Sequence, residues 1–290
     1  DDEIFILDCG LMYPENELLG IDVVIPDFTY LIENADRIAG IFLTHGHADA
    51  IGALPYFLSQ KQVPVYGSEL TIALAKLNVN GYAGSRKFKN FHTVTKNSRL
   101  KFKHAQVSFF KTTHSIPDSL GISIKTSAGQ IVYTGDFKFD QAADPTYQTD
   151  FARLAQIGQQ GVLALISDSA NAESPYEMAS ERDISAYILD TFKYHEGRII
   201  VASVASNIAR IQQVIDAAYE SKRRVVLTGR DLEKIVRTAM RLNRLTLPDP
   251  DIIVPVKQLK TLAPEETVIL ETGRMGEPIK ALQRMATSRD

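Results

Sequence analysis

Apolar and polar positions follow two different rhythms along the chain. In the first half, short apolar runs end in turn-forming residues: "IFILDCG", "GIFLTHG", "PVYGS", "QVSFFKTTH", "GISIKTSAG" and "IVYTGDFKF". That pattern predicts strands of a sheet-rich unit. Helical periodicity intervenes at roughly 50 to 60, 68 to 78 and 150 to 158, each behind a small, acidic or glycine-rich lead-in. The second half alternates longer elements. "SERDISAYILDTFKYHEG" predicts a helix with Ser180 as N-cap and Gly197 at its end. A strand "RIIVASV", a helix "SNIARIQQVIDAAYESK", a strand "RRVVLTG" and a further helix follow. Such strand and helix units argue for a parallel α/β sheet. The change of rhythm falls within "SDSANAESPYEMASERD", which gives two expected domains, 1–172 and 173–290. The chain carries neither an internal repeat nor a low-complexity tract.

The last helix, "GRDLEKIVRTAMRLNRL", places Arg230, Lys234, Arg237, Arg241 and Arg244 on one face, at alternating four- and three-residue steps. Leu232, Ile235, Val236, Ala239 and Leu242 fall on the other. Asp231 and Glu233 are expected to do little to neutralise the row. A second basic patch is "SRKFKN" with Lys96, Arg99, Lys101, Lys103 and Lys111. These patches fit a solvated face as well as an RNA or partner surface. The net charge of −3 supplies no general attraction to nucleic acid, so contacts of that kind must be local.

Composition narrows the setting. No uninterrupted apolar stretch approaches the ~20 residues needed to span a bilayer, and "DDEIFILDCG" lacks the basic start of a secretory signal. Cys9 is the single cysteine, which excludes an intramolecular disulfide framework and fits a reducing compartment. A cytoplasmic protein without a membrane association is expected.

Candidate chemistry begins at "HGHADA". His45 and His47, one residue apart on a turn after an apolar strand, can aim two neutral imidazoles at one point, as Zn or Mn sites require. Asp49 adds an oxygen donor where a helix starts; it also reads as an N-cap. His114 in "TTHSIPDS" and Asp136 in "VYTGDFKFD" stand just past two further strands. Together with His45 and His47 they make three imidazoles and one carboxylate, enough for one four-coordinate metal. Asp8 in "ILDCG" is a candidate to orient a histidine, and equally a turn carboxylate. His92, His104 and His195 have no partner at ligand spacing and are given no role.

With these residues in place the chain resembles the metallo-β-lactamase superfamily, and within it the β-CASP nucleases of the ribonuclease J family. The superfamily pattern His-x-His-x-Asp-His, then a His and an Asp, is matched by "HGHADA", His114 and Asp136. "LDCGLMYPENELLGIDVVIPDF", "HSIPDS", "VYTGDFKFD", "SDSANAE", "ASNIARIQQVIDAAYE" and "ETGRMGEP" resemble ribonuclease J segments in the same order. The resemblance implies an α/β protein with a metallo-β-lactamase αββα sandwich core and an inserted β-CASP parallel α/β domain. It also implies a longer protein, lacking here its N-terminal strands, the rest of the core and a C-terminal domain. The activity implied is hydrolysis of RNA phosphodiesters in RNA decay and rRNA processing, as a 5′–3′ exonuclease, an endonuclease or both. His45, His47 and His114 would bind the first metal, Asp136 would bridge two, Asp49 would serve the second, and Asp168 would shape the site.

The chain departs from the family at three places. Ala50 replaces the second-metal histidine, so the implied cofactor is Zn or Mn in one intact site beside a degraded second site that need not be filled. The pair Arg274 and Met275 replaces Ser and Gln in a loop near the RNA path. Further ligands belong to family regions outside this sequence. The combination resembles the second ribonuclease J paralogue of Gram-positive bacteria, in which the metal site is degraded. A weak metal-dependent ribonuclease is therefore expected, the alternative being an inert RNA-binding scaffold for an active paralogue. Implied partners are RNA, the paralogue as a hetero-oligomer, and a second copy as a homodimer. A hydrolase acting on lactams, thioesters or lipids is disfavoured by the second half and its basic helix. Ser206, Asn207, Arg237, Arg241 and Arg274 are candidate RNA contacts, with Arg198 and Arg210 as lesser ones; Ser206 also reads as the cap of its helix.

Overall fold

In the computed structural model, which describes residues 2–14, 20–176, 178–272, 282–283 and 285–287, the strands of the first half form two sheets. β1 (Ile4–Leu7), β2 (Ile38–Phe42), β3 (Val65–Gly67) and β4 (Phe91–Thr93) lie side by side in chain order, all parallel. β5 (Arg99–Lys101), β6 (Ala105–Lys111), β7 (Leu120–Thr126) and β8 (Gln130–Tyr133) form an antiparallel meander, to which β9 (Ala164–Ile166) adds in parallel.

The two sheets face each other across an apolar layer. Phe42 from β2 packs with Val107, Phe109, Leu120, Ile122 and Ile124 from β6 and β7, and stacks on Tyr66 of β3 with ring centroids 5.0 Å apart. Side chains alternate across a strand, so Ile41 and Leu43 face the other way. That face is covered by the helices Leu54–Leu58 and Glu69–Gly81, whose Leu54, Phe57, Leu58, Leu70, Leu74 and Val79 are buried. On the outer face of the meander, Phe110 and Val132 pack against Ile157 of the helix Phe151–Gln159. The unit, Asp1–Pro175, is thus a four-layered α/β/β/α sandwich.

The second unit, Tyr176–Asp290, is built on a fully parallel sheet. β10 (Ile199–Ala202), β11 (Arg224–Thr228), β12 (Ile253–Val254) and β13 (Thr267–Glu271) are arranged in the order β10-β13-β11-β12. Every residue of β13 is buried, as expected of a central parallel strand. The helix Glu181–Tyr194 is capped by Ser180, whose hydroxyl accepts from the Asp183 amide. The next helix, Ile208–Glu220, is capped by Asn207 accepting from the Arg210 amide; Ser206 is buried beside it and is not the cap. In the helix Arg230–Arg241, Leu232, Val236 and Ala239 are buried as the periodicity predicts. Its acidic residues do more than expected, because Asp231 meets Lys234 at 3.2 Å and Glu233 meets Arg237 at 3.5 Å. Spacings of three and four residues bring side chains together on a helix. No helix among the described residues is long and apolar enough to cross a membrane.

Candidate metal centre

Each candidate ligand stands just beyond the C-terminal end of a strand. β2 leads through Leu43 and Thr44 into "HGHADA", and Gly46 lets this turn sit on the neighbouring helix, since a Cβ there would lie 2.6 Å from Leu74 Cδ1. The helix expected over 50 to 60 is two pieces, Ala48–Ile51 and Leu54–Leu58. They part at Gly52, where a Cβ would lie 2.4 Å from Leu11 Cγ. The segment after β1 is laced onto that turn: the Cys9 amide donates to Ala50 O at 2.7 Å and the Leu11 amide to Ala48 O at 3.0 Å. Asp49 lies in the first turn of Ala48–Ile51, whose N-cap position is His47. β6 delivers His114. β8 delivers Asp136 through Gly135, whose φ of 58° and missing side chain allow close approach to Thr44.

The three imidazoles converge. Ring centroids of His45, His47 and His114 are 4.7 to 4.9 Å apart, with rings nearly perpendicular, and one ligand atom from each lies within 4.8 Å of the others. His45, Asp49 and Asp136 form a second such group. His45 Nε2 is 3.6 Å from Asp49 Oδ1 and 3.9 Å from Asp136 Oδ2, while His114 Nε2 is 3.8 Å from Asp136 Oδ2. These separations exceed hydrogen-bond length. Consequently Nε2 of both His45 and His114 is buried with no hydrogen-bond partner. Buried polar atoms are ordinarily satisfied, and a cation among these five side chains would satisfy both.

A supporting layer holds His45. Thr44 Oγ1 lies 2.9 Å from His45 Nδ1 and donates to Asp8 Oδ2 at 2.8 Å. Asp8 also accepts the Thr44 amide at 2.8 Å and the Tyr133 hydroxyl at 2.9 Å. Asp8 thus bears on the histidine through Thr44 rather than directly. It does so from a left-handed backbone, φ 59°, which non-glycine residues rarely adopt. Ser115 Oγ lies 2.8 Å from His47 Nε2 and fixes that ring's rotation. Thr44, Tyr133 and Ser115 are not singled out by the sequence; Tyr133 and Ser115 lie within the family-like segments "VYTGDFKFD" and "HSIPDS", and Thr44 directly precedes His45.

The electrostatics separate these groups. Burial, reinforced by the charge of His45, pushes His114 down to about 4 and His47 well below its ordinary value, so both are neutral near pH 7. Burial also acts against the charged form of His45, but Asp49, Asp8 and Asp136 outweigh it and raise that group. Burial likewise works to raise Asp49, but His45 overcomes it and holds the carboxyl low. Asp136 is raised to about 6, by burial first and then by the neighbouring charges of Asp49 and Asp168. Burial raises Asp8 to about 6.

The remaining candidates are scattered. Asp168 follows β9, its amide donates to Thr134 Oγ1 at 3.0 Å, and its charge reaches His114 and Asp136. Ala50 is buried, 1% exposed, and brings a methyl group with no donor atom. Ser206, Asn207, Arg210, Arg237 and Arg241 belong to the second unit; Arg210 lies 3.9 Å from Glu181, and Arg237 and Arg241 are exposed. Arg274 and Met275 lie outside the described residues. Of the histidines given no role, His92 stacks on Tyr66, His104 meets Asp2 at 3.4 Å, and the His195 carbonyl accepts from Arg223.

Comparison with known proteins matches residues 8–156 to the family described as "Beta-lactamase superfamily domain" and residues 196–290 to "Ribonuclease J, beta-CASP domain". The chain is 56% identical over 289 residues to "Ribonuclease J 2" of Streptococcus pyogenes serotype M3, and 48% identical over 286 residues to "Ribonuclease J 2" of Staphylococcus aureus. It covers 52% and 51% of those proteins, so the chain spans about half the length of the curated relatives it matches. Among solved structures, a protein of unknown function from Enterococcus faecalis V583 shares the fold, with a TM-score of 0.63 at 16% identity, covering 94% of this chain and 72% of that one.

Proposed function

The chain belongs to the β-lactamase superfamily and carries the β-CASP domain of ribonuclease J, and on that premise we propose that it serves RNA processing and decay as a weak, metal-dependent phosphodiesterase. The observation that carries this reading is the pair of buried, unpartnered nitrogens, His45 Nε2 and His114 Nε2, facing the Asp136 carboxylate. His45, His47, His114 and Asp136 are the residues that would hold the ion, Zn or Mn. When bound, a divalent cation supplies Lewis-acid polarisation of a phosphoryl oxygen. The side chains have separate tasks. Neutral His47 and His114 offer lone pairs without competing protons, Asp8 and Thr44 keep the His45 ring in place, and ionised Asp49 accepts a hydrogen bond from the attacking water. Asp168 shapes the acidic side of the centre.

The rate is low in this reading because Ala50 has no donor for a second ion. The substrate is single-stranded RNA, cleaved from its 5′ end or internally, and the exposed Arg237 and Arg241 meet its backbone. Replacing both by Gln weakens RNA retention and lowers its salt slope. The setting is cytoplasmic, consistent with the lone Cys9. The deciding experiment is decay of a 5′-monophosphorylated RNA by the full-length protein, with and without Mn, beside Asp136→Ala. Metal-dependent decay abolished by the substitution supports the reading, and equal background decay in both defeats it.

A second reading, an inert scaffold for an active ribonuclease J, is favoured by Ala50 together with Arg274 and Met275 in the sequence. It has the chain join the paralogue in a hetero-oligomer and also pair with itself. Under it, Asp136→Ala protein still alters the rate or cleavage preference of the active relative; a mixture equal to the sum of its parts would sink it.

A further inference from the structure

Phe137, the residue after Asp136, begins a row of aromatic rings. Its ring centroid is 5.0 Å from that of Phe139, which is 5.4 Å from that of Phe151. The outer two are open to water, Phe139 at 62% and Phe151 at 45%. Contiguous exposed apolar surface rimmed by polar residues marks interaction sites, and here two open rings adjoin. Cations border the row. Asp150, which caps the helix started by Phe151, meets Lys96 Nζ at 3.0 Å, and Lys111 Nζ donates to Pro145 O at 3.0 Å. Arg153 lies on the same helix; burial depresses Arg99, and the nearby charge of Arg153 adds to it.

The charge is not one-sided. Asp118, Asp144 and Asp150 all act on Lys111, so four cations face three carboxylates. Such a surface holds a polyanion only weakly by charge. What it offers is two exposed rings in tilted contact, Phe139 and Phe151, with amines held nearby and the row starting beside a candidate ligand. That combination fits unpaired bases, whose faces stack on aromatic side chains whatever the sequence.

We propose that Phe139 and Phe151 form a stacking platform for bases of single-stranded RNA lying outside the centre, with Lys96 and Lys111 beside the backbone. The proposal rests on the reading of RNA as substrate and assigns to it a second surface. Because stacking dominates, affinity gained here depends little on salt, unlike affinity gained at the Arg237 and Arg241 helix face.

The test measures retention of RNA oligomers by the full-length protein in chelator, where no hydrolysis occurs. The probes are a dinucleotide, a ten-nucleotide strand, and the same strand with abasic positions downstream. Phe139→Ala and Phe151→Ala should each weaken retention of the long strand about fivefold, leave the dinucleotide unchanged, and leave the salt slope unchanged. Phe139→Trp should restore binding, and abasic positions should erase the difference between parent and variants. Unchanged retention of the long strand in both Ala variants overturns the platform while leaving RNA as substrate. Loss of self-association alone in those variants overturns it equally. Absence of any RNA retention by the parent overturns both readings. If an Ala variant fails to fold, the parent alone decides: abasic positions must weaken its retention, and equal affinity for both strands refutes the platform.

Discussion

Thr44 Oγ1 lies 2.9 Å from His45 Nδ1 while it donates to Asp8 at 2.8 Å. A hydroxyl has one proton, so toward the imidazole Thr44 accepts. Nδ1 of His45 therefore carries a hydrogen, which leaves Nε2, facing Asp49 and Asp136, as the nitrogen that a cation would take. Thr44→Val removes that acceptor and frees the tautomer. Losses at this remove cost about 10- to 100-fold in metal affinity; Thr44→Ser should keep parental affinity. A chelator-competition titration with Zn and Mn checks both, and parental affinity in the Val variant would refute the assignment.

Acid should destabilise the metal-free protein through His114. Its folded value of about 4 lies below the ordinary 6.5, so between these limits the unfolded chain binds more protons. This contribution to stability is full above pH ~6.5 and is lost as pH falls toward 4, by up to about 3 kcal/mol. Asp8 and Asp136, raised to about 6, act in the opposite sense between about 6 and 3.8, since the folded state then binds the extra protons. The informative quantity is thus the difference between parent and His114→Gln. Between pH 6.5 and about 4 the denaturant midpoint of the parent in chelator should drop relative to that of the variant, and parallel profiles would remove His114 as the cause.

Ala50→His tests the missing donor. Ala50 is 1% exposed, and a larger side chain in a packed site costs roughly 1–3 kcal/mol. The variant should melt below the parent in chelator and recover more than the parent when Mn or Zn is added. Calorimetric titration should count an additional ion. An equal metal shift in both proteins would mean that this one ligand is not what the second site lacks.

Gly135→Ala should damage fold and centre together. The φ of 58° costs an L-residue about 1–2 kcal/mol, and the new Cβ would lie 2.7 Å from Thr44 Cβ. Stability should fall by at least about 2 kcal/mol, with metal affinity falling as well because Asp136 is displaced. A chemical denaturation curve within about 0.5 kcal/mol of the parent, on the order of an ordinary surface change, would show that the turn relaxes freely.

How far the site is legible in the sequence follows from where its residues stand. His45, Asp49, His114 and Asp136 each follow an apolar run closed by a turn, and a strand end is where a sheet presents side chains to a shared rim. The sequence therefore exposes them as candidates. Tyr133 is invisible in this sense: its hydroxyl meets Asp8 only because β8 and β1 belong to facing sheets, a relation between residues far apart in the chain. β12 and β13 carry no mark for another reason. A buried parallel strand is a short apolar run without alternation, and "TVILE" offers no period to distinguish it.

Local chemistry, legible along the chain, determined the change from strand meander to alternating strands and helices, the buried stripe of the basic helix, the Ser180 cap, and the identity of the imidazoles and carboxylates. These depend on neighbours within one turn of helix or one strand, which sequence spacing encodes directly. Tertiary structure alone decided that five side chains from three strand ends enclose two unpartnered nitrogens, that Gly52 divides the expected helix so that Leu11 can approach, and that Thr44 stands between Asp8 and His45. Those outcomes depend on which strands face each other and how closely backbones approach. Long-range packing sets both, and the order of residues records it only indirectly.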